Sequence, residues 1–180
     1  MEEIRDKRGR TEAEAIAQYR AKNYPKPAVT ADVAVFARRG GAWTLLLIRR
    51  GGHPFLGCWA LPGGFADPEE PLEITAEREL REETGLTGQH LRLVGVYSAP
   101  GRDPRGWVVS AAYAVCTSEE LAPVAADDAA EVRWVTLTRD ASGALIPALP
   151  EGERLAFDHG KIIADAIACL RDRLTGDPVR

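Results

Sequence analysis

Apolar residues along the chain fall into short runs whose spacing switches between two periods. Val29 to Ala37 alternates in its second half, around Val33 and Val35. Arg39-Gly40-Gly41 makes a turn, and Trp43 to Ile48 returns as an apolar run, a pattern that predicts a β-hairpin. Leu72, Ala76 and Leu80 then recur every four residues, the stripe of an amphipathic helix. Pro71 suits its first turn and Gly85 its stop, so a helix is expected over about 71–84. Three further strands are expected at Gln89 to Ala99, Trp107 to Cys116 and Val132 to Leu137. Leu155, Ile162, Ile163, Ala166, Ile167 and Leu170 sit at helical spacing and predict a closing helix from about Gly152 to Leu174. Near the start, Thr11 and Glu14 have capping-box spacing. The short helix they open carries Ala15, Ile16 and Tyr19 on one face and ends at Asn23 to Pro27. Such a helix either covers the domain or reaches a second subunit.

The order of strands, helix, strands, helix predicts an α/β protein, an α/β/α sandwich around a mixed β-sheet with an added N-terminal helix. The expected organisation is a tail and helix at 1–27, one domain at 28–174 and a short tail at 175–180. Composition narrows the function. The chain has 180 residues and a formal net charge of −4, with no basic field for nucleic acid. No apolar run approaches membrane-spanning length. The N-terminal MEEIRDKRGR lacks the apolar core of a signal peptide. Cys58, Cys116 and Cys169 lie far apart without metal-ligand spacing and read as reduced packing groups. A cytoplasmic protein is expected.

The helix at 71–84 is where the chemistry concentrates. Glu79 and Glu83 lie one turn apart and Glu82 is three residues from Glu79. Three carboxylates on one side of a short helix repel one another, and an oxygen-seeking cation such as Mg²⁺ relieves that repulsion. The segment before it, Leu61-Pro62-Gly63-Gly64, lets the backbone pass close to a ligand. Arg49 and Arg50 at the end of the hairpin, and Arg102 and Arg105 in the loop Pro100 to Gly106, are candidate phosphate or ribose ligands; solvated charges are the competing reading. His53 is given no catalytic role, and His159 reads as structural.

Gly64, Glu70, Arg78-Glu79-Leu80, Glu82-Glu83 and Gly85-Leu86 stand at the fixed spacings of the Nudix box. The resemblance is to the Nudix hydrolases, residue by residue over 64–86 and more loosely over about 28–174. It implies a Nudix-type α/β/α sandwich and cleavage of a nucleoside diphosphate linked to a moiety X by water attack on phosphorus. It implies Mg²⁺, with Mn²⁺ as a substitute, held by Glu79, Glu82, Glu83 and the carbonyl of Gly63. It also implies a structural role for Gly64, Gly85 and an Arg78–Glu70 pair that ties loop to helix. The general base is left open between a box glutamate, Glu131 and Asp128.

Pro100, the Pro100–Gly106 loop and the segment Leu155 to His159 look like those of Nudix domains tied to ADP-ribose. A small-molecule ADP-ribose-type substrate is therefore expected, with a homodimer as an option and neither nucleic acid nor membrane as partner. Some relatives of that branch are ADP-ribose-binding regulators with a decayed box and a winged helix. Here the box is intact and six residues follow Leu174, too few for such a domain, so a DNA-binding extension is not expected. The alternatives kept are a nucleotide-binding sensor with little turnover and a nucleoside triphosphate pyrophosphatase.

Overall fold

A computed structural model describes residues 4–117, 129–171 and 174. The central strand is β1 (Ala28–Arg39), where Thr30 to Ala37 is an unbroken buried run. It turns through Gly40 and Gly41 into β2 (Ala42–Arg50), the hairpin expected from the sequence. Two short strands follow, β3 (Trp59–Ala60) beside β2 and β4 (Gly63–Phe65) beside β1. Helix α2 (Leu72–Thr84) comes next, then β5 (Arg92–Tyr97), β6 (Val108–Thr117), β7 (Ala129–Arg139) and β8 (Leu145–Pro147). Helix α3 (His159–Cys169) closes the domain, and α1 (Glu12–Ala21) precedes it. The main sheet runs β5-β6-β1-β2-β7-β8. Only the β1–β6 pair is parallel among the described pairings, so the sheet is mixed.

Side chains alternate across the sheet, and the alternation explains both layers. Ala34 and Phe36 of β1 join Leu45 and Leu47 of β2 against Ile162, Ile163 and Ala166 of α3. Ala31, Val33 and Val35 join Leu46 on the other face against Ala76 and Leu80 of α2. The sheet is thus covered by α3 on one side and α2 on the other, the expected sandwich. Among the described residues no helix is long and apolar enough to cross a membrane.

One expectation needs correction, and one left open is narrowed. The closing helix starts at His159, seven residues later than the apolar spacing suggests. The backbone before it is already engaged: Trp59 N–H donates to Arg154 O at 2.9 Å and Ala156 N–H donates to Trp59 O at 2.8 Å. Phe157 then takes φ 49°, which breaks any helical continuation. Helix α1 has the expected capping box, with Thr11 and Glu14 bonded reciprocally. None of its residues is buried, and Ile16 and Tyr19 are exposed, so it does not cover the domain.

Candidate active site

Helix α2 places the acidic side chains. Pro71 stands at its N-cap, and Gly85 stops it in the left-handed conformation at φ 73°. Buried Ala76 and Leu80 pin one face to the sheet, so Glu79 and Glu83 line a cleft of about 770 Å³. Arg50 and Arg105 line the same cleft, as do Gly63, Gly64 and Phe65. Gly63 is required by close approach to the β1 backbone, and Gly64 leaves room for the Glu79 carboxylate. A Cβ on Gly63 would lie 2.8 Å from Asp32 Cα, and one on Gly64 would lie 2.5 Å from both carboxylate oxygens of Glu79.

Glu83 is strongly perturbed in the cleft. Burial, joined by repulsion from Glu79 and Asp32, pushes its carboxyl up to about 8, against the opposing hydrogen bond from Gly63 N–H at 2.8 Å. Burial likewise raises Glu79, although Arg78 donates to its Oε1 at 2.6 Å. Two carboxylates held in one desolvated cleft store an electrostatic cost that a cation would relieve.

Arg78 ties the segment before the helix to the helix itself. Its Nε and Nη2 each reach Glu70 at 3.0 Å, and Nη2 donates to Phe65 O at 2.9 Å. Thr75 Oγ1 adds a bond to Glu70 at 2.8 Å. Arg78 and Thr75 together hold the Glu70 carboxyl down at about 2. Glu82 turns toward Arg78, at 3.2 Å, and Arg81, at 3.2 Å, and does not line the cleft. Glu79 and Glu82 thus share Arg78 Nη1, while Glu79 and Glu83 are the two box carboxylates that line the cleft. No group of three His, Cys, Asp or Glu among the described residues is arranged to hold a metal ion. The donor set still suits a hard divalent cation, because Glu79, Glu83 and the Gly63 backbone offer oxygens on one wall of the cleft.

The structure separates the four candidate arginines. Arg50 enters the cleft, over the Phe157 ring at 5.0 Å, with burial and the nearby Arg105 lowering its pKa. Arg105 also enters, 4.6 Å above the Phe65 ring and paired with Asp103 at 2.7 Å. Arg49 does not. It leaves β2 on the other side, where it meets Glu131 at 3.7 Å and Glu153 at 3.6 Å. Arg102 is 5% exposed, and its fork is filled by Asp158 at 2.7 and 2.9 Å. It borders a smaller cavity but is tied to the start of α3, not held out on a flexible loop. Glu131 pairs with Arg133 at 2.6 Å and lines neither space, while Asp128 falls outside the described residues.

Two residues near the cleft have a place that the sequence reading did not give them. Asp32 sits in the middle of β1, where its carboxylate accepts from Ser110 Oγ. His159 accepts from Leu61 N–H at 2.9 Å through Nδ1, which leaves the proton on Nε2, 3.6 Å from Asp32 Oδ1. The available signal was a lone aspartate inside an otherwise apolar strand.

A NUDIX domain family model matches residues 26–151. The chain belongs to the Nudix family. It is 45% identical over 122 residues to an ADP-ribose pyrophosphatase of Methanocaldococcus jannaschii, covering 67% of this chain and 64% of that protein. It is 35% identical over 160 residues to the ADPR responsive transcriptional repressor NtrR of Acinetobacter baylyi, covering 88% of this chain and 60% of the repressor. The chain thus spans less than two thirds of the length of either relative. Among solved structures it resembles the NUDIX domain of Shewanella oneidensis NrtR in cocrystal with ADP ribose. The TM-score there is 0.73 at 32% identity, covering 89% of this chain and 99% of that one. Glu79 and Glu83 stand on α2 within the matched region, and the Arg78–Glu70 pair ties the segment before α2 to the helix.

Proposed function

We propose that this Nudix domain is a divalent-metal-dependent hydrolase. On this reading it cleaves ADP-ribose, or a closely related ADP-linked compound, to AMP and a phosphorylated X. The observation that carries the reading is that two carboxylates, Glu79 and Glu83, and two guanidinium groups, Arg50 and Arg105, line one cleft. A pyrophosphate needs both, since its charges must meet cations at the phosphates, while the carboxylates hold the metal and orient water. The likeness to the Methanocaldococcus enzyme and to the ADP ribose cocrystal supports ADP-ribose as the compound.

The reaction is a substitution at phosphorus. A water oxygen forms a new P–O bond, the bridging P–O bond breaks, and the departing phosphate keeps the electron pair. The water's proton passes to a base. Mg²⁺, or Mn²⁺ in its place, held by Glu79, Glu83 and the Gly63 carbonyl, would supply Lewis acidity to the phosphate and a lowered pKa to the water. Glu82 would join the ligand set by leaving Arg78. Arg50 and Arg105 hold the outer phosphate in the ground state and as charge shifts onto it. The base on this reading is a box glutamate or Asp128, since Glu131 is paired with Arg133 and Arg49. The cytoplasm is the proposed compartment. A second copy of the chain is the proposed cover for Ile16 and Tyr19 of α1, which light scattering tests.

A panel of ADP-ribose, ADP-sugars, dGTP and 8-oxo-dGTP with Mg²⁺ tests the substrate. ADP-ribose should lead in kcat/KM, and a lead of tenfold or more for a triphosphate would replace this reading with a triphosphatase. The likeness to the Acinetobacter repressor favours a second reading, an ADP-ribose-binding domain with little turnover. Tight binding without hydrolysis in the same panel would select it.

A further inference from the structure

Behind the cleft lies a cavity of about 80 Å³, whose wall includes Thr30, Asp32, Leu61, Phe157 and His159. It shares Arg50, Gly63, Gly64, Phe65 and Arg105 with the cleft that holds Glu79 and Glu83, so the two spaces are direct neighbours. Asp32 is 7% exposed, in the central strand of the sheet, where a carboxylate is costly to keep. The hydrolysis chemistry above does not use it.

The surroundings of Asp32 hold it in a fixed pose. Ser110 Oγ donates to Oδ2. Its other oxygen, Oδ1, faces His159 Nε2 at 3.6 Å, beyond hydrogen-bond length. The histidine cannot turn to close that gap without losing the bond from Leu61 N–H to Nδ1. A fixed acceptor and a fixed donor therefore stand side by side at the wall of a small cavity. That pair suits a group that accepts from Nε2–H and donates to Oδ1 at once, which among the parts of a nucleoside diphosphate is a sugar hydroxyl, with water as its competitor. A phosphate oxygen would face the carboxylate with no proton to give. An apolar group would leave both partners unmatched. At about 80 Å³ the space takes the edge of a sugar but not a base.

We propose that Asp32 and His159 bind a sugar hydroxyl of the substrate and make this domain selective for a diphosphate whose sugar keeps its vicinal diol. The inference rests on the reading that the cleft holds a nucleoside diphosphate. The diol comes from either of two sources, the adenosine ribose or the terminal sugar, and separate analogues distinguish them.

Calorimetry uses α,β-methylene ADP-ribose, which resists hydrolysis, and two forms of it that lack the diol at one ribose or the other. Wild type should lose about 10- to 100-fold in affinity for one of the two diol-less forms, the scale of a hydrogen bond to a charged group. Asp32→Ala should bind the parent more weakly by a similar factor and no longer tell it from that form. Asp32→Asn and Ser110→Ala, which keep the cavity filled, should show the same loss of discrimination in part. Equal affinity of wild type for all three ligands, as for a cavity that holds water only, overturns the proposal. So does full discrimination retained by the variants. Selective binding by a protein that hydrolyses nothing keeps this inference and removes the hydrolase reading; hydrolysis without diol selectivity does the reverse. No binding of the parent removes both.

Discussion

Replacing Glu83 by glutamine should make the metal-free protein more stable while removing its activity. The carboxyl stands at about 8 in the folded protein against an ordinary 4.5. At about 1.4 kcal/mol for each tenfold change in proton affinity, the ionised form costs the fold on the order of 5 kcal/mol. The sign follows from proton linkage. Between pH 4.5 and about 8 the folded chain keeps a proton that the unfolded chain has released, so stability falls as pH rises across that window. Below 4.5 both states are protonated and the penalty disappears. A glutamine is neutral at every pH and can still accept the Gly63 N–H bond through its carbonyl oxygen. Relaxation and water entry reduce the gain, leaving about 2–4 kcal/mol at pH 9, or a Tm higher by roughly 5–10 °C for a chain of this size. Melts of both proteins in EDTA at pH 4.5, 7 and 9 should show a gap that opens with pH. A gap that is absent at pH 9, or constant with pH, refutes the electrostatic account of this cleft. The same variant with Mg²⁺ should lose about 10²-fold or more in kcat.

The other predictions follow from single contacts. Arg78→Ala strands Glu70 and lowers Tm by about 5–10 °C together with activity, and Arg78→Lys recovers only part because it lacks the fork; an unchanged Tm would count against the brace. Gly64→Ala should abolish most turnover with little change in Tm, since the atoms its Cβ meets are the mobile carboxylate end of Glu79; crippled folding with intact kinetics in the surviving fraction would contradict this. Arg105→Ala should raise KM roughly tenfold with kcat within a factor of three, whereas Arg102→Ala, which strands Asp158, should show its main effect in thermal melts. The opposite pattern would place Arg102 on the substrate.

Local signals carried far in this chain. The Pro71 start and Gly85 stop of α2, and the Thr11 capping box of α1, depend on neighbours a few residues away and came through nearly unchanged. The β1–β2 hairpin was equally legible from its glycine turn. What failed depended on distant partners. The stretch before His159 has the apolar spacing of a helix, but Trp59, about a hundred residues earlier, takes its backbone hydrogen bonds. Arg102 and Arg105 share a loop of glycines and prolines and each pairs with an aspartate, yet only Arg105 lines the larger cleft, because Asp158 ties Arg102 to the start of α3. Arg49 and Arg50 are adjacent in sequence, and strand alternation sends them to opposite sides. Asp32 matters through Ser110 and His159, which only the parallel β1–β6 pairing and the placement of α3 bring beside it.

On the proposed function, the cleft lined by Glu79 and Glu83 turns over an ADP-linked diphosphate with a divalent cation. The direct measurement is product analysis of ADP-ribose incubated with wild type, with Mg²⁺ and with EDTA. The account predicts AMP and ribose 5-phosphate with Mg²⁺, at a kcat/KM at least tenfold above that for 8-oxo-dGTP, and no product in EDTA. Undiminished cleavage in EDTA, or no cleavage of ADP-ribose under either condition, would contradict it.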